Sequence, residues 1–573
     1  SYASLAENNR MRRIPLKPTR GVIFDRRGEV IASTRPSLDL MLRREGDRDL
    51  AAQLRELSPI VETPIEELRE RLREMRGRPL FEALLVKEDV SLAQLARIEA
   101  RRERFPSVEI RQHARRSYLE QRLAAHAVGY VGEVGETQLA RADGALTRGD
   151  IVGKSGVERT YDERLRGSFG WKLVSVNNLG RQIGGSWVER EPDHGNDLRL
   201  TLDLRLQRKL VEGLGEESGA GIFMDPWTGD ILALASAPAF DPNRFADGIS
   251  HEDWQAMTGD PRRPLHDRAI ASFYAPGSTF KVIMAVAGLE TRTVDPSFRV
   301  FCNGSAPFYG RPRLCWKRGG HGWVDVRKAL AESCNVYFYT LGQKLGIDPI
   351  TEYSRQFGLG ARTGIRIPGE EPGILPSREW KRQVQREIWY PGDTISVAIG
   401  QGLIAVTPVQ MARAISAIAT GGSMPRPRLF DAEPTVAERI EISPRTLEIV
   451  RDALEQAVRS GTARAVTGGR FTAAGKTGTA QVYKHSAGVK SEDLPKEERD
   501  HAWFVGYAPA DEPQIVFAVV VEHGGHGGVT AAPIIRQVLE QFFEEPPQDG
   551  PPAEERAAGA GTEEEIVRAQ AAR

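Results

Sequence analysis

The amino-acid sequence predicts an α+β protein of more than one domain. Its C-terminal half reads as two strands, a long and mostly helical block, three further strands and a closing helix. That order predicts an antiparallel sheet covered by helices. The N-terminal part has another grain: residues 18–45 alternate and turn like strands, and residues 47–104 carry Glu, Arg and Leu at helical spacing. A length of 573 residues leaves room for two or three domains and a large core.

Each element has its own signal. Asp25-Arg26-Arg27-Gly28 is a turn between the first strands. Ile65-Glu66-Glu67-Leu68-Arg69-Glu70-Arg71-Leu72 sets opposite charges one helical turn apart, the mark of a solvated amphipathic face. The mixed region resumes near Phe105 and ends around Glu191-Pro192-Asp193-His194-Gly195. The C-terminal domain starts near Asp197, and Gly221-Ile222-Phe223-Met224 and Ile231-Leu232-Ala233-Leu234-Ala235 are its first two strands, joined by a turn at 225–230. Strands return at 474–482, 502–508 and 515–521, followed by a helix at 531–543. The stretch between Val482 and Asp500 reads as a solvated loop, with a mobile flap as the alternative. From Glu545 onward the chain is rich in Pro, Gly, Ala and Glu, and disorder is expected.

Composition narrows the function classes. Lys plus Arg and Asp plus Glu both number 78, so no basic excess argues for nucleic acid. Ten scattered histidines do not suggest a metal-rich protein. No run of about 20 apolar residues is present to form a spanning helix.

Three short motifs carry the chemistry: Ser278-Thr279-Phe280-Lys281, Ser333-Cys334-Asn335 and Lys476-Thr477-Gly478-Thr479. Pro276-Gly277 precede Ser278 and an apolar run follows Lys281, so Ser278 falls near the N-terminus of a buried helix. A spacing of three puts Ser278 and Lys281 on one helical face. A serine hydroxyl is a poor nucleophile until a neighbour takes its proton. Lysine can take it only when desolvation or nearby positive charge leaves it neutral. The bland alternative, a capping serine beside a solvated lysine, fits poorly with the apolar residues that follow. Ser333 can relay a proton between Lys281 and a leaving amine, and Asn335 can hold a substrate amide. The glycines around Lys476 sit in a strand-like run, where they mark close approach by a ligand or another backbone. An extended substrate can then add to this strand, with Lys476 facing its carboxylate. A phosphate-binding loop is excluded there, because Arg470 stands where its first glycine is required.

The three cysteines, Cys302, Cys315 and Cys334, cluster with His321 as C-x12-C-x5-H-x12-C. In an oxidising compartment the default reading is one disulfide, Cys302 to Cys315, and one free thiol. The rival reading is a structural Zn2+ site of three thiolates and one imidazole.

The three motifs together are the signature of penicillin-binding proteins and serine β-lactamases. The chain resembles a class B penicillin-binding protein, an elongation-specific (penicillin-binding protein 2-like) peptidoglycan DD-transpeptidase, from about Arg10 to about Phe543. The resemblance is carried further by Pro18-Thr19-Arg20-Gly21-Val22-Ile23-Phe24-Asp25-Arg26-Arg27-Gly28, Gly156-Val157-Glu158-Arg159-Thr160-Tyr161-Asp162 and Tyr274-Ala275-Pro276-Gly277-Ser278. Trp389-Tyr390-Pro391-Gly392-Asp393-Thr394 and Ile399-Gly400-Gln401-Gly402 add to it. Arg378-Glu379-Trp380-Lys381 and Gly320-His321-Gly322 favour the elongation subgroup over the division one.

The resemblance implies an architecture. Residues 1–46 and 105–195 would form a mixed α/β pedestal, a non-catalytic domain of the dimerisation type, with a helical head inserted at 47–104. Residues 196–544 would form the penicillin-recognising transpeptidase fold, a five-stranded antiparallel sheet flanked by helices plus an all-helical subdomain, and 545–573 a disordered tail. It also implies a mechanism. Neutral Lys281 takes the Ser278 proton as Ser278 attacks a stem peptide ending in D-Ala-D-Ala. The N–H groups of Ser278 and Thr479 form the oxyanion hole, and Lys476, Thr477 and Thr479 hold the terminal carboxylate. β-Lactams would acylate Ser278 stably, and no cofactor takes part in the chemistry. Some elongation-type relatives hold zinc at positions resembling Cys302, Cys315, His321 and Cys334, which would explain the cysteine where β-lactamases have Asp. The implied partners are peptidoglycan, a RodA-type glycan polymerase and other elongation proteins. The start of the chain resembles the segment after a single membrane anchor, so an inner-membrane tether with a periplasmic catalytic domain is expected; a soluble periplasmic enzyme is the alternative. A β-lactamase, a DD-carboxypeptidase and a non-catalytic scaffold or sensor are the competing functions.

Overall fold

The computed structural model describes residues 11–44, 49–76, 83–142, 145–176, 182–246, 248–466, 469–482 and 493–544. The tail expected to be disordered, and much of the loop between Val482 and Asp500, lie outside the described residues.

In the N-terminal region the 13-residue strand Val30–Leu42 is the axis. It pairs antiparallel with Val108–Tyr118 along eleven residues and, at its far end, with Leu84–Lys87. Its near end pairs with Ile23–Phe24, and the chain returns at Leu198–Arg199 to add a parallel strand there. The helices Leu50–Val61, Ile65–Glu74 and Leu92–Glu99 cover the far end. They close a core of their own around Leu40, Leu54, Leu57, Leu68, Val86 and Val108. The strand Leu84–Lys87 within this helical stretch is not legible as one, because four residues give too short an alternation to separate from a helix.

The two N-terminal sequence motifs meet in space. Glu158, wholly buried, accepts from Arg20 Nε and Arg116 Nε at 2.7 Å each, and Arg20 Nη1 reaches Asp162 at 2.8 Å. Burial alone would push the Glu158 carboxyl up, but Arg116 and Arg20 outweigh it and hold it below the usual range. Gly21 is required beside this cluster, since a Cβ there would lie 2.1 Å from the Asn196 carbonyl.

The C-terminal sheet contains β1 (Gly219–Met224), β2 (Ile231–Ala237), β3 (Ala474–Ala480), β4 (His501–Ala508) and β5 (Ile515–Val521). Their order is β2-β1-β5-β4-β3, every neighbour antiparallel. Both faces are covered, so strands such as Ile515-Val516-Phe517-Ala518-Val519-Val520-Val521 read as unbroken apolar runs. Val516, Ala518 and Val520 lie in one core with the helix α4 (Pro408–Thr420), while Phe517 and Val519 lie in a second with α1 (Leu204–Leu214) and α5 (Gly527–Glu544). The apolar helix α2 (Lys281–Glu290) and helix α3 (Asn335–Leu345) lie in the same large core as Val516 and Val520. The helical block also carries the two-stranded ribbons Val300–Cys302 with Gly322–Val324, Ser305–Phe308 with Arg311–Leu314, and Ser423–Pro425 with Ala437–Arg439. Each is three or four residues long, below what periodicity resolves.

Candidate active site

The three motifs, separated by up to about 200 residues of chain, converge where α2, α3 and β3 meet. Ser278 sits half-buried on the 3-10 turn Gly277–Phe280, which runs directly into α2. Gly277 has φ +54, and a Cβ on it would lie 2.5 Å from the Thr479 carbonyl, so only glycine lets this turn press against β3. Its N–H donates to the Gly400 carbonyl at 2.8 Å.

Lys281, on the first turn of α2, is fully buried. Its Nζ donates to Asn335 Oδ1 at 2.6 Å, the Ser333 carbonyl at 3.0 Å and Ser333 Oγ at 3.2 Å. Burial lowers its pKa to about 8, although the nearby Cys315 and Cys334 sulfurs pull the other way. At about 1.4 kcal/mol per unit, that burial disfavours the ammonium by roughly 3 kcal/mol net. Ser333 holds φ +60, an uncommon conformation for a side chain-bearing residue, and so aims both its carbonyl and its hydroxyl at Lys281. Cys334 then starts α3, on whose first residue Asn335 stands.

β3 is the edge strand of the sheet, paired only with β4. The Thr479 carbonyl accepts from Gln401 Nε2 at 2.9 Å, and the Thr477 carbonyl accepts from Lys476 Nζ at 3.0 Å. Both carbonyls therefore point away from β4. In a strand the N–H and C=O of one residue project to the same side, so the Thr477 and Thr479 amides also face the open edge. Gly478 keeps that edge flat: a Cβ would meet the Pro276 carbonyl and Thr279 Cγ2, each at 2.9 Å. Lys476 is fully buried, and burial first, then repulsion from Lys281, pushes its pKa well below the usual lysine value. Thr477 Oγ1 donates to Thr462 Oγ1 at 2.8 Å.

Cys302, Cys315, His321 and Cys334 are all buried, and their ligand atoms lie within 4.8 Å of one another. The Cys302–Cys315 disulfide, one of the two readings open in the sequence, is not formed: all three cysteines are free thiols. His321 Nδ1 lies 3.6 Å from Cys302 Sγ and 3.5 Å from Cys315 Sγ. Cys315 Sγ also accepts from the Asn335 N–H at 3.4 Å, joining the cluster to the second motif.

Two features escaped the sequence reading. Gln401 fastens the Gly400 loop to β3; the Gly400-Gln401-Gly402 string marked the place but not the contact. Glu522 accepts from Tyr274 Oη at 2.8 Å and Arg268 Nε at 3.0 Å, tying the segment before Ser278 to the end of β5. No local signal links residues so far apart in sequence.

A half-buried serine one helical turn from a buried lysine, a serine–asparagine turn and an edge strand are the parts that an acyl-transfer site needs. Residues 219–540 match the family model of the penicillin binding protein transpeptidase domain, and residues 15–200 match that of the penicillin-binding protein dimerisation domain. The chain belongs to the penicillin-binding protein transpeptidase family, of the penicillin-binding protein 2 type. It is 35% identical over 558 residues to the peptidoglycan D,D-transpeptidase MrdA of Acinetobacter baumannii, covering 94% of this chain and 82% of that one. Among solved structures, the complex of PBP2 with MreC from Helicobacter pylori aligns with a TM-score of 0.82 at 28% identity, over 93% of this chain and 99% of that one. A peptidoglycan synthase complex, solved for the structural coordination of polymerization and crosslinking, aligns with a TM-score of 0.75 at 30% identity, over 96% and 95%.

Proposed function

We propose that this protein is a peptidoglycan D,D-transpeptidase of cell elongation that works through a serine acyl-enzyme. The observation that carries the reading is Lys281, buried, held to a pKa of about 8 and hydrogen-bonded to Ser333 and Asn335 one helical turn from Ser278. Neutral Lys281 takes the Ser278 proton as Oγ attacks the penultimate D-Ala carbonyl of a stem peptide. The amides of Ser278 and Thr479 receive the oxyanion. The C–N bond breaks, the terminal D-Ala amine takes its proton through Ser333, and an ester to Ser278 remains. An amine of a second stem peptide then displaces Ser278, and the proton returns along the same path.

Residues along β3 align the donor. The outward Thr477 and Thr479 backbone groups pair with an extended peptide, flat Gly478 lets it approach, and Asn335 holds its amide. Lys476 meets the terminal carboxylate, with the Thr477 and Thr479 hydroxyls. Burial beside Lys281 disfavours its charge in the free protein, and an arriving carboxylate restores it. β-Lactams acylate Ser278 as mimics of the donor. The intact mass after brief exposure to a penicillin tests this: one stable adduct is expected, absent from Ser278→Ala. No adduct with the drug intact would favour a scaffold; no adduct with the drug consumed would favour a β-lactamase.

Zn2+ suits the four buried donors, three free thiols and an imidazole. Held by Cys302, Cys315, His321 and Cys334, it would supply structural cross-linking that fixes the turn carrying Ser333 and Asn335. Protein never exposed to chelator should contain about one zinc per chain, and stripping it should lower the thermal midpoint by roughly 5–10 °C. A metal-free preparation with an unchanged midpoint would reject the site. The pedestal would engage a RodA-type glycan polymerase and other elongation proteins; of the similar structures, one is PBP2 in complex with MreC and one is a peptidoglycan synthase complex. The catalytic domain would face the periplasm from a single inner-membrane anchor. No helix of the described residues is long and apolar enough to cross a membrane.

A further inference from the structure

Between Val300 and Val324, beside the second motif, five large apolar side chains stand exposed: Phe301 (54%), Tyr309 (52%), Leu314 (59%), Trp316 (57%) and Trp323 (63%). Single exposed apolar residues are ordinary, but a local group of this kind marks a contact surface. Phe301 and Trp323 are cross-strand partners on the ribbon of Val300–Cys302 and Gly322–Val324, their ring centroids 5.4 Å apart. Side chains alternate along a strand, so Cys302 turns into the buried cluster while Phe301 and Trp323 share the outer face.

The ribbon is fastened to the catalytic centre. Trp316 packs edge-on against His321 at 5.6 Å, and its Nε1 donates at 3.1 Å to the carbonyl of Glu332, the residue before Ser333. Asn335 N–H meets Cys315 Sγ, and Tyr339 Oη donates to the Leu314 carbonyl at 3.5 Å. The inner side of the ribbon is therefore tied to the segment from Glu332 to Asn335, which sets its exposed face next to the second motif. The segment itself is one-signed: from Pro296 to Val324 the chain has Arg299, Arg311, Arg313, Lys317 and Arg318, and no Asp or Glu, although the Glu332 carboxylate lies beside it, 4.0 Å from His321 Nε2. The next acid, Asp325, is used as a helix cap and accepts from the Lys328 N–H at 3.0 Å.

The donor peptide that reaches Ser278 is one branch of a polymer, so its polysaccharide must leave the cleft over some part of the rim. Aromatic faces receive the C–H faces of sugar rings, and cations receive the carboxylates of stem peptides. We propose that the outer face of the 300–324 ribbon is a glycan subsite. Phe301 and Trp323 stack on acetamido-sugar rings of the strand that carries the donor peptide, and Arg313 and Lys317 meet carboxylates of its neighbouring stems. The subsite rests on the peptidoglycan reading above, and its test separates the two.

The probe is soluble glycan strand stripped of stem peptides by an amidase, titrated against the full chain. Penicillin acylation, which involves no glycan, is followed in parallel. The wild type should bind the stripped strand, and Phe301→Ala/Trp323→Ala should weaken binding roughly tenfold or more while acylation stays within about twofold. Trp323→Phe should restore most of the binding. Undiminished binding by the double variant, or none by the wild type, overturns the subsite. Should the double variant lose acylation as well, Trp323→Ala alone decides: binding lost with acylation intact supports the subsite, and both lost together overturns it. Binding to phosphatidylglycerol vesicles but not to glycan, abolished by the same substitutions, overturns it in favour of a membrane surface. Failure of the wild type to be acylated would strike the transpeptidase reading instead.

Discussion

Two buried polar clusters in this molecule are built on opposite principles. In the N-terminal region Glu158 is enclosed by Arg20 and Arg116, each within 2.7 Å, so opposite charges satisfy one another. In the cleft two lysines, Lys281 and Lys476, are buried within repulsive range and neither has a carboxylate partner among the described residues. The first arrangement holds each group in its charged form and pins distant segments together. The second destabilises the charged form, so that each lysine gives up its proton more readily than an exposed one. Burial is common to both; where opposite charges outweigh it the result is structure, and where they do not the result is reactivity.

Substitutions at the two clusters should therefore separate. Lys281→Ala should slow penicillin acylation by roughly 10²–10⁴-fold, the usual contribution of a general base, with little change in the thermal midpoint. Acylation within threefold of wild type would remove Lys281 from the base role. Glu158→Gln should do the reverse, leaving two guanidiniums around an uncharged amide. A loss of about 3–5 kcal/mol in denaturant-measured stability is expected, with acylation by the still-folded fraction unchanged. A loss under about 1 kcal/mol would show that Asp162 and solvent suffice for Arg20 and Arg116.

The smallest effect is in pH. Lys281 must be neutral to accept a proton, and with a pKa of about 8 roughly one-tenth is neutral at pH 7. Acylation should rise about tenfold between pH 7 and 9 and then level off. The linked stability has the same direction, because the folded-state pKa lies below the unfolded value near 10.5. Between those values the unfolded chain binds more protons, so stability attributable to Lys281 increases as pH rises from about 8. A rate independent of pH across this range would contradict a lysine base.

Much of the site was legible because its chemistry is written in short strings. Ser278 and Lys281 share a helical face by spacing alone, and the glycines of Lys476-Thr477-Gly478-Thr479 mark a strand open to close approach. The central strands were legible because both faces are buried, which leaves unbroken apolar runs. The ribbons between Val300 and Val324 were not, being too short for a period to show. At the cysteines the sequence left a disulfide and a metal set open, and only the folded chain places His321 Nδ1 near both Cys302 Sγ and Cys315 Sγ.

The sequence by itself determined which residue types the candidate site brings together and the class of fold that carries them, since motif spacing and apolar patterning are local properties. Tertiary structure decided what those residues can do. Lys281 has an ordinary lysine side chain until the core removes its water and Ser333 and Asn335 surround it. Thr479 becomes an open-edge residue only because β3 ends the sheet. A pKa and an edge without a partner strand belong to surroundings, and surroundings are assembled from chain segments that no local pattern connects.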